Sequence, residues 1–383
     1  MTDTNRNWAV RFFTLWTGQA LSLLGSQLVQ FALIWYLTVQ TGSATVLATA
    51  SLVGMLPNMI LGPFIGTLVD RLNRRWIMLL SDSIQALATI ALVVVFALGI
   101  VEVWNIFVVL FIRSLAGAFH TNAMNASTSL MVPVEQLTRI QGLNQLLSGG
   151  LNVVAAPLGA LLLGILPMQG VLSIDVVTAL FAILPLAFIH IPQPERNTAS
   201  AERTTVWADF KAGLRYMLSW SGLLIVGLMT VGINFTIIPA FSLLPLMVKD
   251  YFGGSAIHLS WVESAMGAGM ILGGVLLSVW GGFSRKILTS MIGLMGMGVG
   301  TLILALAPAS SISFAVGAAL LVGFMTPMTM GPFFAIIQST VEPELQARVF
   351  SLLTSIGTGI VPIGLMIAGP VADRAGIGGD DLQ

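Results

Sequence analysis

Four ionisable side chains, Asp82, Arg113, Asp175 and Glu263, stand inside long apolar runs, where a charge is costly and is a candidate for chemistry. Arg113 keeps its proton at any physiological pH, so it cannot shuttle one itself. It can hold an anion, or it can bias a carboxylate: contact with the guanidinium keeps the acid ionised, and loss of contact lets it take a proton. An alternating contact would load and release a proton; a fixed one would be a static buried ion pair. Asp175 and Glu263 are the carboxylates available for proton coupling or for a charge on the substrate, with caps near the lipid headgroups as the alternative for each. Asp82 follows Arg75 by seven residues, so pairing with the Arg71, Arg74 and Arg75 cluster competes with a coupling role.

His120, His190 and His258 are scattered and make no metal cluster, and the absence of cysteine removes thiol chemistry, disulfides and thiolate-held metals. No G-x-x-x-x-G-K-[ST] phosphate loop is present. These features point away from an enzyme and from any cofactor, and toward work driven by a gradient.

The elements that must position these groups are read from hydropathy. Of 383 residues, 56% are hydrophobic and 8% charged, against roughly 25% charged in globular domains, and mean hydropathy is +0.94. The fold class is an all-α multi-pass membrane protein in the lipid bilayer. At about 20 residues per span, the segments are 12–39, 45–69, 76–100, 103–126, 140–166, 169–189, 221–248, 257–281, 287–307, 311–338 and 349–370.

Six of these precede the polar stretch 190–220 and five follow it. The expected domains are a six-helix half over 1–189, a linker over 190–220, and a half over 221–383 that ends in a polar tail. In the linker, Trp207, Phe210, Leu214 and Met217 have the spacing of an amphipathic helix lying on the membrane or of a solvated connector. The N-terminus is polar and runs into the first span without a cleavage site, so no removable signal is expected. Arg6, Arg11, Arg71, Arg74, Arg75, Arg139, Arg196 and Arg348 fall in alternate loops, which places the N-terminus and the linker in the cytoplasm. Lys+Arg and Asp+Glu are both 16, so no basic surface suggests a nucleic-acid partner.

An internal repeat supports two parallel halves. Glu135, Arg139 and Gly150 recur as Glu344, Arg348 and Gly359, each 209 residues later (344−135, 348−139, 359−150). Gly62 and Arg74/Arg75 recur as Gly273 and Arg285/Lys286, 211 later (273−62, 285−74, 286−75). Such repeats relate halves by an axis along the membrane normal. Six spans in the first half predict six in the second, so a twelfth helix is missing from this reading.

Between the second and third spans, Gly62-Pro63-Phe64-Ile65-Gly66-Thr67-Leu68-Val69-Asp70-Arg71-Leu72-Asn73-Arg74-Arg75 resembles the major facilitator superfamily motif G-x-L-a-D-R-x-G-R-[RK]. Gly66, Asp70, Arg71, Arg74 and Arg75 match, and Asn73 replaces the third glycine. The resemblance implies that Asp70 helps close the cytoplasmic side against the start of the eleventh helix, near Arg348. Glu135/Arg139 and Glu344/Arg348 would then be inner-face pairs of the same gate, or else exposed connector pairs. Arg113 with Gly117 resembles the family's R-x-x-x-G signature, whose arginine is associated with proton coupling. Gly150, Pro157 and Gly159 resemble the glycine series and G-P-x-x-G-G of the antiporter signature on the fifth helix, with alanine at two glycine positions. They would make a kinked gate.

Leu24-Gly25-Ser26-Gln27, Val132-Pro133 with Glu135, and Gly369-Pro370-Val371-Ala372-Asp373-Arg374 are similar to the branch holding macrolide-efflux-type and enterobactin-exporter-type permeases. The resemblance implies a monomeric exporter of an amphipathic small molecule, driven by proton antiport through alternating access. A facilitator or importer, a non-transporting scaffold or sensor, and a truncated inactive permease are the alternatives. Gln19, Gln27, Gln30, Asn122, Asn125, Asn234 and Gln338 are polar groups at bilayer depth, expected to line a mostly apolar cavity.

Overall fold

In lipid, every backbone N–H and C=O must find its partner inside the segment, so apolar runs of this length fold as helices. The computed structural model describes residues 8–189, 191, 221–340, 353 and 357–374, and contains no strand among them. The helices are α1 (Trp8–Thr41), α2 (Ala44–Arg71), α3 (Arg74–Ala97), α4 (Val103–Met131), α5 (Val134–Ile165) and α6 (Met168–Phe188). Then follow α7 (Ser221–Ser242), α8 (Ala256–Trp280), α9 (Lys286–Ala305), α10 (Ile312–Thr340) and α11 (Val361–Arg374). Between α7 and α8 lie a short turn, Leu244–Leu246, and a π-helical turn, Met247–Tyr251.

Ten of the described helices are long and apolar enough to cross a membrane. These elements follow the apolar runs, with ends displaced by several residues at α4, α5 and α7. α5 starts at Val134, not near 140, and Pro133, at φ −57° and ψ 144°, is the N-cap that precedes it. Of the expected 349–370 span, the described part begins α11 at Val361. The linker lies outside the described residues except for the buried Ile191.

The chain divides into two compact units: 1–36, 50–151 and 158–202 form the first, and 37–49, 152–157 and 203–383 the second. In the first, α3 packs on both α4 and α6. α1 approaches α6 closely because Gly18 and Gly25 lack side chains. A Cβ on Gly18 would meet the Phe181 carbonyl, and one on Gly25 the Thr178 hydroxyl. In the second, α10 packs on α8 and α9, and α7 on α11. Gly269 and Gly273 on α8 and Gly323 on α10 lie where a Cβ would run into the partner helix's backbone. This is the small-residue packing by which membrane helices associate in the absence of a hydrophobic driving force.

The second-to-third-helix motif is partly explained by helix ends. Asn73, standing where the motif has glycine, is the N-cap of α3: its side-chain oxygen accepts from the backbone N–H of Arg75 at 3.1 Å and of Trp76 at 3.4 Å. Arg74 donates to the Ala126 carbonyl at 2.7 Å. Arg75 donates to the carbonyls of Leu186, at 2.7 Å, and Ala187 at the C-terminal end of α6, where orphan carbonyls and the helix dipole favour a cation. The side chains of Asp70, Arg71, Glu135 and Gln338, the surroundings of Gly62 and Gly66, and all of Glu344 and Arg348 lie outside what the structure describes.

An aspartate of the second unit caps the start of α2, whose first residues belong to that same unit. Asp373, near the end of α11, accepts from the Ala44 N–H at 2.6 Å, the Thr45 N–H at 3.1 Å, the Thr45 hydroxyl at 2.5 Å and the Ser43 hydroxyl at 3.1 Å. A carboxylate at the N-terminus of α2 meets both unpaired N–H groups and the positive end of the helix dipole. Asp373→Ala is expected to lower the stability of the purified protein by about 1 kcal/mol, the usual cost of losing an N-cap, and Asp373→Asn by less. Thermal unfolding in detergent measures the difference.

Candidate functional site

Three helices each bring a polar group to one face and repeat it two turns on. α1 carries Gln19 and Ser26, α3 Asp82 and Thr89, and α4 Arg113 and His120, each pair seven residues apart. Seven residues make nearly two helical turns, so both members of a pair share a face about 10 Å apart along the axis. α6 adds Asp175. The result is two polar layers inside the first unit.

In one layer, Arg113 and Asp175 form an ion pair at 8% and 2% exposure. Arg113 Nη1 donates to Asp175 Oδ2, and Nη2 lies 3.4 Å from Oδ1. Thr89 Oγ1 accepts from Arg113 and donates to Asp175 Oδ2 at 2.8 Å. Ser26 Oγ donates to Asp175 Oδ1 at 3.1 Å. Both carboxylate oxygens are thus engaged. The close approach of α1 to α6 at Gly25 is what brings Ser26 within reach.

In the other layer, Asp82 is 4% exposed and accepts from Gln19 Nε2 at 3.0 Å. His120 Nε2 lies 3.4 Å from Asp82 Oδ1, yet makes no hydrogen bond. In place of Arg74 and Arg75 of the arginine cluster, Asp82 meets Gln19 and His120, because those two arginines turn to carbonyls near the ends of α4 and α6. His120, read from the sequence as one of three scattered histidines, belongs to this cluster. A cavity of about 80 Å³ touches both layers and is lined in part by Gln19, Ser26, Asp82, Gln85, His120 and Asp175. That is room for several waters, since one needs about 10–15 Å³ on the same measure. It is proton and water scale, far below a drug-sized molecule.

The remaining candidates are placed separately. Glu263 sits on α8 in the second unit, half-buried and without a hydrogen bond or ion pair among the described residues. Of the expected cavity residues whose side chains are described, only Gln19 enters the cluster. Gln27, Gln30, Asn122 and Asn125 are exposed, and Asn122 and Asn234 bond the carbonyls of Ala118 and Thr230, each at 2.9 Å on their own helices. On α5, Gly150 faces open space, Pro157 lies inside the helix, and Gly159 lets the Phe31 ring approach to 2.8 Å of where a Cβ would be. Arg139 is exposed and reaches Gln136 at 3.4 Å.

The family model described as Major Facilitator Superfamily matches residues 15–373. The chain belongs to the Major Facilitator Superfamily. It is similar to macrolide efflux protein A of Streptococcus pyogenes, 38% identical over 371 residues that cover 97% of this chain and 91% of the relative. Similarity to macrolide efflux protein A of Enterococcus faecalis is 36% over 324 residues, covering 85% of this chain and all (100%) of the relative. Among solved structures, a mutant nucleoside transporter NupG superposes with a TM-score of 0.73 at 14% identity, covering 96% of this chain and 92% of that one. At that identity the likeness speaks to fold. As a superfamily member with ten membrane-length helices among the described residues, the chain is a multi-pass membrane transporter of small molecules.

Proposed function

We propose that this transporter is a proton-coupled exporter of an amphipathic, macrolide-like molecule in the cell membrane. It works as a monomer with a cytoplasmic N-terminus and needs no nucleic-acid partner. The observation that carries the reading is the Arg113–Asp175 pair held by Thr89 and Ser26 at bilayer depth. Stability does not explain such a pair: exchanging a buried ion pair for well-packed apolar residues is often neutral or stabilising. A carboxylate whose ionisation depends on one movable guanidinium is instead a proton switch. The macrolide efflux relatives supply the substrate class, and the alternating cationic loops supply the orientation. In this reading the cytoplasmic gate uses Asp70, Arg71 and their partners, and 1–189 and 221–383 are the two rocking halves joined by the 190–220 linker.

Everted membrane vesicles test this directly. With an acid interior, they are expected to accumulate a radiolabelled macrolide, and a protonophore should discharge it. Equal accumulation with and without the gradient would sink proton coupling, whereas no protein-dependent macrolide movement at all would sink the substrate class.

A further inference from the structure

We propose that Asp82 and His120 together hold one proton, forming a second proton-binding site beside the Arg113–Asp175 pair. Charge favours it. Asp82 from α3, Asp175 from α6 and His120 from α4 line the cavity, and Arg113 of α4 pairs with Asp175, while among the described residues α1 contributes only the neutral Gln19, Ser22, Leu23 and Ser26. Arg113 is committed to Asp175 through both of its terminal nitrogens. With His120 neutral, the two carboxylates and one guanidinium leave a net negative charge in a site of low polarity. A buried charge without a counter-charge is neutralised, usually by binding a proton.

The geometry says where that proton goes. Gln19 occupies Asp82 Oδ2, and the free oxygen, Oδ1, faces His120 Nε2 at 3.4 Å. His120 is 8% exposed and its Nε2 is buried without a hydrogen bond. An unpaired buried nitrogen next to an unpaired carboxylate oxygen is resolved when one proton lies between them, whether on the imidazole or on the acid. The cavity that touches Asp82, His120 and Asp175 has room for the waters that would connect the two sites. Its role in transport rests on the proton-coupled reading above; the proton binding itself does not.

The test counts protons on the full-length protein in detergent, with a pH-indicating dye, as the medium is taken from about pH 8 to about pH 5. Wild type is expected to take up about one proton more per chain than Asp82→Asn, because a buried imidazolium without Asp82 is disfavoured. His120→Gln should shift the midpoint of that extra uptake, which keeps the test open if Asp82→Asn fails to fold. Asp175→Asn, which leaves Arg113 as a counter-charge to Asp82, should shift the midpoint of the Asp82-dependent uptake to lower pH. An unchanged count in Asp82→Asn, or an unchanged midpoint in His120→Gln, overturns the proposal. So does displacement of the proton by sodium ions, which would make this a cation site. Vesicles that show no proton-driven macrolide uptake while this proton is still counted would defeat the transport reading and leave the site standing.

Discussion

Replacing Asp175 with asparagine is expected to reduce proton-driven macrolide accumulation in everted vesicles to the level seen without a gradient. Per proton, a potential of 100 mV supplies about 2.3 kcal/mol and one pH unit about 1.4 kcal/mol. Together these sustain a ceiling of about 500-fold accumulation for one proton exchanged, so loss of coupling is a large effect. Arg113→Ala should lose coupling as well, but with a second consequence. It strands the Asp175 carboxylate at 2% exposure, and removing one partner of a buried pair costs about 3–5 kcal/mol. Poor stability of that variant alone would therefore prove little. The double variant Arg113→Met/Asp175→Leu separates the two roles, since an apolar pair should return thermal stability to near that of wild type. If the pair is the switch, the stable double variant remains uncoupled. If it is a static brace, the double variant recovers both stability and proton-driven accumulation, and the proton switch must be sought elsewhere.

The residues of this switch were legible in the sequence for one reason and its supports were illegible for another. A charge inside an apolar run is rare enough to stand out without knowing any neighbour, which is how Arg113, Asp175 and Asp82 are found. Which of them meet depends on the rotation and depth of each helix against the next, information that hydropathy does not carry. Thr89 and Ser26 illustrate the difficulty, because a helical threonine or serine usually satisfies its hydroxyl on its own backbone. Thr14 and Thr17 do so, reaching the carbonyls of Val10 and Phe13 at 2.7 Å. Thr89 also lies within reach of the Gln85 carbonyl in this way, at 3.0 Å, and its one hydroxyl proton is shared between that carbonyl and Asp175.

A signal for His120 was present: it lies seven residues after Arg113, as Thr89 lies seven after Asp82 and Ser26 seven after Gln19. Taken together, these repeats mark a polar stripe on three helices, whereas each residue taken alone is unremarkable. Asp82 does not pair with Arg74 or Arg75, because proximity in sequence is not proximity across a helix. Seven residues from Arg75 put Asp82 two turns along α3, while Arg74 and Arg75 at its first turn face carbonyls near the ends of neighbouring helices.

The same switch depends on a residue with no side chain, and Gly25→Ala is expected to damage it without touching a charge. A Cβ on Gly25 would collide first with the Thr178 hydroxyl, then press on the Asp175 Cα at 3.1 Å and the Thr178 Cβ at 3.2 Å. The backbone atom cannot swing aside, so α6 must retreat from α1, at an overpacking cost of about 1–3 kcal/mol. A retreat of even half an ångström carries Asp175 away from Ser26, whose hydrogen bond is already 3.1 Å long, and away from its alignment with Arg113. Proton-driven accumulation should fall by about tenfold, the scale set by about 1.4 kcal/mol of lost alignment. Gly164→Ala is the control, because Gly164 faces open space and alanine is the better helix former; it should be neutral or slightly stabilising. Gly25→Ala combined with Thr178→Ala should recover part of the loss, since it removes the collision with that hydroxyl but leaves the contact with the Asp175 Cα at 3.1 Å. Were Gly25→Ala as stable and as active as Gly164→Ala, α1 and α6 could not be packed this closely, and Ser26 would have to be removed from the switch. Rescue by Thr178→Ala would instead show that steric contact, and not the flexibility of glycine, sets the position of Asp175.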